Sequence, residues 1–146
     1  MTIRCMTPAD YDRVWELWMS CRNMGFNDLD DSRAGVERLL RRNPDTCFVA
    51  EDGDALAGVI LSGNDGRRGY IYHMAVAEEY RRQGVGSALA ARCLAAMEAE
   101  GIHKVALLVF NRNAAGNAFW EKQGFARRED VAYRDRALCA LTRIDT

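Results

Sequence analysis

The chain has 146 residues, of which 49% are hydrophobic and 28% are charged, and its formal net charge is −1. These values predict one globular domain over residues 1–146, and the near-neutral charge disfavours nucleic acid and anionic membranes as partners. No apolar run has the length of a membrane span and the first residues lack the core of a signal peptide, so we expect a cytoplasmic protein.

The N-terminal third is predicted to contain one short strand and two helices. The strand covers Ile3–Met6, and the first helix begins after Thr7, which caps it. An apolar stripe follows that helix at Tyr11, Val14, Trp18 and Cys21. A polar break at Asn23–Asp31 comes next. Ser32 then caps a second helix, which ends at Asn43 because a proline follows.

Three strands joined by two tight turns are predicted in the middle of the chain. The strands are Cys47–Ala50, Ala55–Ser62 and Tyr70–Val76. The turns at Glu51–Asp54 and Gly63–Gly69 are rich in Gly, Asp and Asn, which is typical of hairpin connections. The pattern therefore predicts an antiparallel meander.

The C-terminal half is predicted to contain two helices and three strands. Apolar residues recur at helical spacing within Val85–Gly101. Lys104–Phe110 shows no alternation, which favours a strand buried on both faces, and Asn113–Lys122 is predicted as a capped helix. A final pair of strands is expected near Phe125–Tyr133 and Ala137–Thr142.

The most informative segment is the turn Arg81–Gly86, which lies between a predicted strand and a predicted helix. Its pattern is Arg-x-x-Gly-x-Gly, and the two glycines let the backbone approach a ligand closely. The N–H groups of residues 82–87 would lie at a helix N-terminus, which attracts phosphate, and Arg81 and Arg82 add positive charge. The alternatives are an ordinary capped loop and a solvated pair of arginines.

Other phosphate-binding loops fit this turn less well. The third glycine of the dinucleotide fingerprint is missing, and the chain has no Gly-x-x-x-x-Gly-Lys sequence. The strands before the turn form a meander and not a βαβ unit. The pattern therefore favours a different cofactor that carries a pyrophosphate.

The cysteines and histidines do not predict a metal site. Five cysteines stand at positions 5, 21, 47, 93 and 139, and none belongs to a Cys-x-x-Cys pair. They lie in apolar segments, where a thiol behaves as a small hydrophobic group. We therefore expect neither a disulfide framework nor a bound metal.

Four segments, taken in order, resemble the GNAT superfamily of acyl-CoA-dependent N-acetyltransferases. They are the meander from Cys47 to Val76, the turn Arg81–Gly86, the buried strand Val105–Val109 and the segment Asn113–Phe125. The resemblance covers nearly the whole chain and looks especially like the bacterial YpeA-like branch. That finer resemblance rests on Trp15–Trp18, Phe48–Glu51, Gly63–Gly69 and the turn with its preceding strand.

The resemblance implies an α/β fold whose mixed, mostly antiparallel, splayed sheet has helices on both faces. Its two central strands run parallel and separate to admit the acyl arm of acetyl-CoA, the implied co-substrate. The implied cofactor contacts are Met74, Ala75, Val76, Arg81, Arg82, Gln83, Gly84, Val85, Gly86, Ser87, Asn113 and Trp120. The backbone of residues 74–76 would pair with the pantetheine amides, and Asn113 would face the cofactor, cap its helix, or do both.

The implied reaction is direct attack of a neutral primary amine on the thioester. A backbone N–H near Met74 would stabilise the oxyanion. Tyr72 and His73, expected on opposite faces of their strand, are the candidate catalytic side chains, and each has ordinary packing as its alternative. The acidic loop at Asp28–Asp31 corresponds to the acceptor side of the family; it either attracts a cationic amine or is only solvated.

One position departs from the pattern of the family. Many relatives carry a tyrosine seven residues after the asparagine, where it protonates the departing thiolate, but this chain has Trp120 there. An indole N–H is not a usable acid. Either another group supplies the proton or the thiolate leaves unprotonated, and Trp120 packs either against the cofactor arm or in the core.

Three functions stay open at this point. The first is an N-acetyltransferase for a small amine or a protein N-terminus. The second is a regulatory module that binds acyl-CoA with little turnover, and the third is a small-molecule binder that uses the fold without CoA. A homodimer is compatible with the edge strands of such a fold.

Overall fold

The computed structural model describes all 146 residues and contains seven strands and four helices. The strands are β1 (Thr2–Cys5), β2 (Gly25–Asn27), β3 (Phe48–Asp52), β4 (Ala55–Asn64), β5 (Gly69–Val76), β6 (Val105–Leu107) and β7 (Arg143–Asp145). The helices are α1 (Tyr11–Ser20), α2 (Arg33–Arg42), α3 (Val85–Ala99) and α4 (Ala114–Lys122), with 3₁₀ turns at Pro8–Asp10 and Glu78–Tyr80. None of the helices combines the length and apolar character needed to cross a bilayer.

Five strands form the main sheet in the order β1-β3-β4-β5-β6. The first three pairings are antiparallel, and only β5 and β6 run parallel. The meander follows from the two tight turns, whereas the parallel pair needs the crossover through α3. The mixed, mostly antiparallel α/β sheet predicted from the sequence is confirmed.

Helices cover both faces of the sheet. The cluster beneath α1 and α2 includes Val14, Trp18, Val36, Val49 and Val59. The cluster beneath α3 and α4 includes Ile60, Ile71, Leu89, Met97 and Trp120. Burial of each such side chain stabilises the fold by about 1.5–3 kcal/mol, so the two clusters hold the sheet between its helix layers.

The sheet splays between β5 and β6. The two strands pair over three residues only, from Gly69 with Val105 to Ile71 with Leu107. β5 continues to Val76 without a partner on that side, so a gap opens beyond the last pair. The predicted splay is confirmed, but the buried strand Lys104–Phe110 is wrong in extent, because β6 is a short edge strand with Ala106 exposed.

A β-bulge interrupts β5 at Tyr72. Leu61 of β4 pairs with His73, whereas the next residue, Ser62, pairs with Ile71, so Tyr72 is an extra residue in β5. Ile71 packs toward α3, and strand alternation therefore turns Tyr72 toward α1 and α2. The bulge keeps His73 on that same side. The prediction of opposite faces for these two residues is wrong because alternation breaks at the bulge.

The C-terminal segment also differs from the prediction. Residues 125–142 contain no strand, and β7 pairs antiparallel with β2, which lies inside the predicted polar break. Phe26 and Ile144 face each other in this small sheet and pack on the α1–α2 side of the core. In contrast, Val131 and Leu138 are exposed. Strand-like alternation at 125–142 has no apolar layer to cover it, so the predicted final pair of strands does not form.

Candidate functional site

The glycine turn ends in a helix N-terminus whose first N–H groups are free. Gly84 is the N-cap of α3 and adopts the left-handed conformation, with φ of +82°. The first N–H that finds a partner in the chain belongs to Ala88 and bonds to the Gly84 carbonyl at 3.0 Å. The N–H groups of residues 83–87 have no acceptor within the chain. Several donors therefore converge at the positive end of the helix dipole.

Backbone strain is concentrated in the same turn. Arg82 has φ of +60°, and it is one of two non-glycine residues in the left-handed region, together with Asn23. Such a conformation costs about 1–2 kcal/mol for a residue with a Cβ. The turn holds this unfavourable geometry while it presents its amides, as strained segments at functional sites do.

The polar side chains of the turn do different things. Arg81 folds back, and its Nε donates to the Val76 carbonyl at 3.1 Å. The Gln83 side chain donates to the Glu79 carbonyl at 2.8 Å. Arg82 is exposed, and its guanidinium has no partner in the chain. Of the two arginines predicted to attract an anion, Arg82 is the free one, whereas Arg81 braces the end of β5.

Gly86 lies where three elements meet. A Cβ built there would be 3.3 Å from the Phe119 ring and 3.4 Å from the Met74 methyl group. The Gln123 side chain donates to Ser87 Oγ at 3.0 Å and ties the end of α4 to the first turn of α3. Gly86 thus allows α3 to lie close to both β5 and α4, next to the gap.

The open edge of β5 presents the backbone of alternate residues. The N–H of Ala77 donates to β4, so alternation directs the backbone groups of Ala75 and His73 toward β4 and those of Met74 and Val76 toward the gap. Of the three residues predicted to pair with pantetheine, Ala75 is therefore already occupied by β4. The Val76 carbonyl already accepts from Arg81 Nε at 3.1 Å and from the Cys21 thiol at 4.0 Å, so its N–H is the group left for the gap.

His73 is paired with a carboxylate that comes from a distant part of the chain. Its Nε2 lies 2.7 Å from Asp31 Oδ1, and both side chains are largely buried, at 12% and 8% exposure. The ring packs on Trp18 and Phe26, with centroid distances of 5.1 and 4.5 Å. His73 Nδ1 has no partner in the chain. Only one fully buried side-chain nitrogen or oxygen lacks a partner, and it is Trp18 Nε1, so His73 Nδ1 is not fully buried. Nδ1 is consequently reachable from solvent.

Tyr72 lies beside this pair on the same side of the sheet and is half exposed, so it is not the core aromatic that was its alternative. Its ring packs against that of Tyr70, tilted by 38° at a centroid distance of 5.3 Å. Partial burial raises the pKa of Tyr72, and the nearby carboxylates of Asp30 and Asp65 raise it further. Its hydroxyl is therefore a proton donor, and not a base, at neutral pH.

Asn113 and Trp120 lie in and before α4. The Asn113 side-chain oxygen accepts from the Gly116 N–H at 2.9 Å, which confirms that it caps the helix. Its side-chain amino group has no partner and remains available. Trp120 is 9% exposed and stacks edge-on against Phe119 and Phe125. Its ring belongs to the core beneath α3 and α4.

The carboxylates of the acidic loop all have partners within the chain. Asp28 accepts from the Thr142 N–H at 2.6 Å, Asp30 from the Asn27 side chain at 2.8 Å, and Asp31 is the partner of His73. The interpretation of a merely solvated loop is wrong for Asp31, which is 6% exposed. No three His, Cys, Asp or Glu side chains lie close enough together to hold a metal ion.

Sequence reasoning did not find the contact between Asp31 and His73. The two residues are 42 positions apart, and no local pattern or spacing connects them. A weak signal was present, since Trp18 and Phe26 are large aromatic residues near a loop that was expected to be polar. Only the folded chain shows that they form a wall around a histidine.

Comparisons with known proteins agree with this geometry. The model of the acetyltransferase (GNAT) family matches residues 11–125. An acetyltransferase, plu1384, of Photorhabdus laumondii is 34% identical over 140 residues, which cover 94% of this chain and 96% of the relative. Ard1 from Thermoplasma volcanium has a similar structure, with a TM-score of 0.76 and 27% identity over 86% of this chain and 82% of that chain.

A further solved structure shares the fold at lower identity. The NatC complex bound to Gag peptide and CoA has a TM-score of 0.73 and 20% identity, over 88% of this chain and 86% of that chain. At this identity the likeness concerns the fold alone.

Proposed function

The chain belongs to the GNAT family of acetyltransferases, and we propose that it transfers the acetyl group of acetyl-CoA to a primary amine by direct attack. The acceptor is a small amine or a protein N-terminus. Within the family we assign it to the YpeA-like bacterial branch, on the motifs at Trp15–Trp18 and Gly63–Gly69. The proposal treats residues 1–146 as one catalytic domain.

The observation that carries the proposal is the row of free N–H groups at residues 83–87. They lie at the N-terminus of α3, beside the gap between β5 and β6. A diphosphate is the ligand that such donors favour, and Arg82 adds a free positive charge. The structure of the NatC complex, which shares the fold, contains CoA, and this supports a cofactor of the same kind here.

The unpaired edge of β5 suits the acyl arm of that cofactor. Met74 and Val76 direct their backbone groups into the gap, where the pantetheine amides add to the sheet as another strand would. The thioester then lies near the Met74 N–H, which stabilises the oxyanion formed when the amine attacks.

Proton transfer is assigned to His73 and Tyr72. His73 Nδ1 takes a proton from the bound ammonium, directly or through a water molecule, so that the neutral amine attacks the carbonyl carbon. The C–N bond forms, the C–S bond breaks, and CoA leaves with the electron pair as a thiolate. The Tyr72 hydroxyl, which keeps its proton at neutral pH, donates to that thiolate. The attacking nitrogen loses its second proton to solvent as the amide forms, and solvent returns a proton to Tyr72, so the phenol is restored.

One observation favours a second candidate, an acyl-CoA-binding module with little turnover. Trp120 occupies the position of the usual acid, and its ring is buried in the core. No phenol therefore reaches the gap from α4. This candidate predicts tight binding of acetyl-CoA without release of free CoA.

The proposal is tested with Gly84→Glu, because a carboxylate at this position would occupy the phosphate site. Gly53→Glu is a matched control, since Gly53 also has a positive φ, of +59°, and both positions have open space for a Cβ. Calorimetry should show loss of acetyl-CoA binding in the first variant and unchanged affinity in the control. Equal affinity in both variants would refute the site.

Turnover separates the two candidates. Acetyl-CoA is incubated with the wild-type protein and a panel of small amines, lysine peptides and peptides with free N-termini. Free CoA is measured by chromatography, because the exposed free Cys139 would react with thiol reagents. Release that depends on an amine supports the enzyme, whereas binding without release across the whole panel supports the module.

A further inference from the structure

We propose that Asp31 is a positioning residue, which holds His73 in the one tautomer and orientation that leave Nδ1 free to take a proton. The inference rests on the proposed function, in which His73 accepts a proton from the amine. It adds a second residue to that site, from the acidic loop Asp28–Asp31, in which the sequence does not single out Asp31.

The contact itself sets the tautomer. A carboxylate only accepts hydrogen bonds, so the ring nitrogen 2.7 Å from Asp31 Oδ1 must carry a proton. That nitrogen is Nε2. In a neutral imidazole the lone pair is then on Nδ1, which has no partner in the chain and is reachable from solvent. The pair is arranged as a base whose orienting group lies behind it.

Asp31 is held as firmly as the ring that it contacts. Its other carboxylate oxygen accepts from the Asn27 N–H at 2.8 Å, and its carbonyl accepts from the Tyr11 hydroxyl at 2.7 Å. Trp18 and Phe26 enclose the imidazole. A carboxylate in a mobile loop would not fix a ring in this way, so the surrounding contacts support a positioning role.

Asp31 is the one charged group that contacts the imidazole. The ring meets Trp18 from α1, Phe26 from β2 and, across the strand pair, Leu61 from β4, none of which titrates. Tyr72 precedes His73 in β5, and Tyr11 reaches the loop at a carbonyl and not at the ring. When His73 takes the proton, the imidazolium is stabilised by Asp31 until the proton passes to solvent.

The chain is well suited to a direct measurement, because it contains only two histidines, His73 and the exposed His103. In a His103→Gln background, the nitrogen chemical shifts of the remaining ring report its tautomer by NMR. We expect the Nε2–H form alone in the parent protein. Asp31→Asn should populate the Nδ1–H form as well, because the amide can donate to Nε2.

Kinetics provide the second measurement. We expect Asp31→Asn to lower kcat by about 10- to 100-fold, which is part of the roughly 10²–10⁴-fold that a positioned general base supplies. The KM for acetyl-CoA should stay unchanged. Asp45→Asn removes an exposed carboxylate that has no side-chain partner in the chain; it is the matched control and should change none of these values.

The outcomes separate this inference from the function on which it rests. Tyr11→Phe replaces Asp31→Asn if the latter proves too unstable to assay. It loosens the loop without removing the carboxylate, so we expect a smaller loss of kcat. If His73→Gln abolishes turnover but Asp31→Asn leaves the tautomer and kcat unchanged, the positioning role is refuted and the base is retained. If His73→Gln retains full turnover, both assignments are refuted, whereas cofactor binding at the Gly84 turn is unaffected.

Discussion

Two buried carboxylates of this protein, Asp10 and Asp31, have partners of different kinds. Asp10 accepts two hydrogen bonds from Arg4, at 2.8 and 2.9 Å, and one from Arg13 at 2.8 Å, and both arginines also bind Glu51. Asp31 has a single side-chain partner, His73. The first carboxylate is held by two guanidinium groups, which stay protonated at neutral pH, and the second by an imidazole, which can accept or release a proton.

The difference separates a group that stabilises the fold from one suited to chemistry. Burial alone would raise the pKa of Asp10, but hydrogen bonds from Arg4, the Thr7 N–H and Arg13 outweigh it and hold the pKa well below its usual range. Arginine stays protonated at neutral pH, so Arg4 and Arg13 neither accept nor release a proton in this network. The network ties β1, α1 and β3 together, and none of its residues belongs to β5 or β6, the two strands that border the gap.

Removal of the charge at Asp10 should have the largest effect on stability. Asp10→Asn leaves Arg4 and Arg13 with one carboxylate to share, and we expect a loss of about 3 kcal/mol in the free energy of unfolding, measured with urea at pH 7. Asp12→Asn removes an exposed carboxylate two residues away and should cost less than about 1 kcal/mol. Similar losses in the two variants would remove the distinction between a buried network and a surface ion pair.

Acid should weaken the Asp10 network specifically. Because the pKa of Asp10 is depressed in the folded state, its contribution is fully present above the unfolded value of about 3.9 and is lost as pH falls toward the folded value. Between pH 5 and pH 2.5 the wild type should therefore lose about 1–2 kcal/mol more than Asp10→Asn loses. Parallel stability curves for the two proteins would contradict the assignment.

Much of the fold was predictable from local patterns. The turns around Asp52 and Asp65 gave the meander, and the apolar spacing after Gly84 gave α3, because short-range chemistry decides both. The strands β2 and β7 were not predictable, since their pairing joins residues about 120 positions apart and depends on the core contact of Phe26. The predicted strands at 125–142 do not form because no apolar layer covers them, and local alternation cannot show whether such a layer exists.

The candidate site was also predictable only where a local motif decides the structure. The main-chain amides near Gly84 follow from a local motif, and so does the helix cap at Asn113. The side-chain geometry does not, because the bulge at Tyr72 changes the direction of every following residue in β5. A prediction from alternation placed Tyr72 and His73 on opposite faces, and it could not include Asp31.

The smallest expected effect concerns how the loop that carries Asp31 is held. No arginine anchors this loop; instead Asp28 accepts from the Thr142 N–H, and β7 pairs with β2 just before it. Asp28→Ala should cost about 1 kcal/mol, the typical net value of one hydrogen bond, and should speed amide exchange in β2 and β7 while α3 is unaffected.

The matched control for Asp28→Ala is Asp145→Ala, because the Asp145 side chain forms a hydrogen bond only with Arg143 of the same strand. We expect this variant to leave exchange in β2 unchanged. Asp28→Ala loosens the Asp31 loop and should lower kcat without lowering the affinity for acetyl-CoA, since the Gly84 turn lies on another element. If Asp28→Ala weakened cofactor binding as much as it weakened turnover, the two regions would not be independent, and the C-terminal strand would support the whole site.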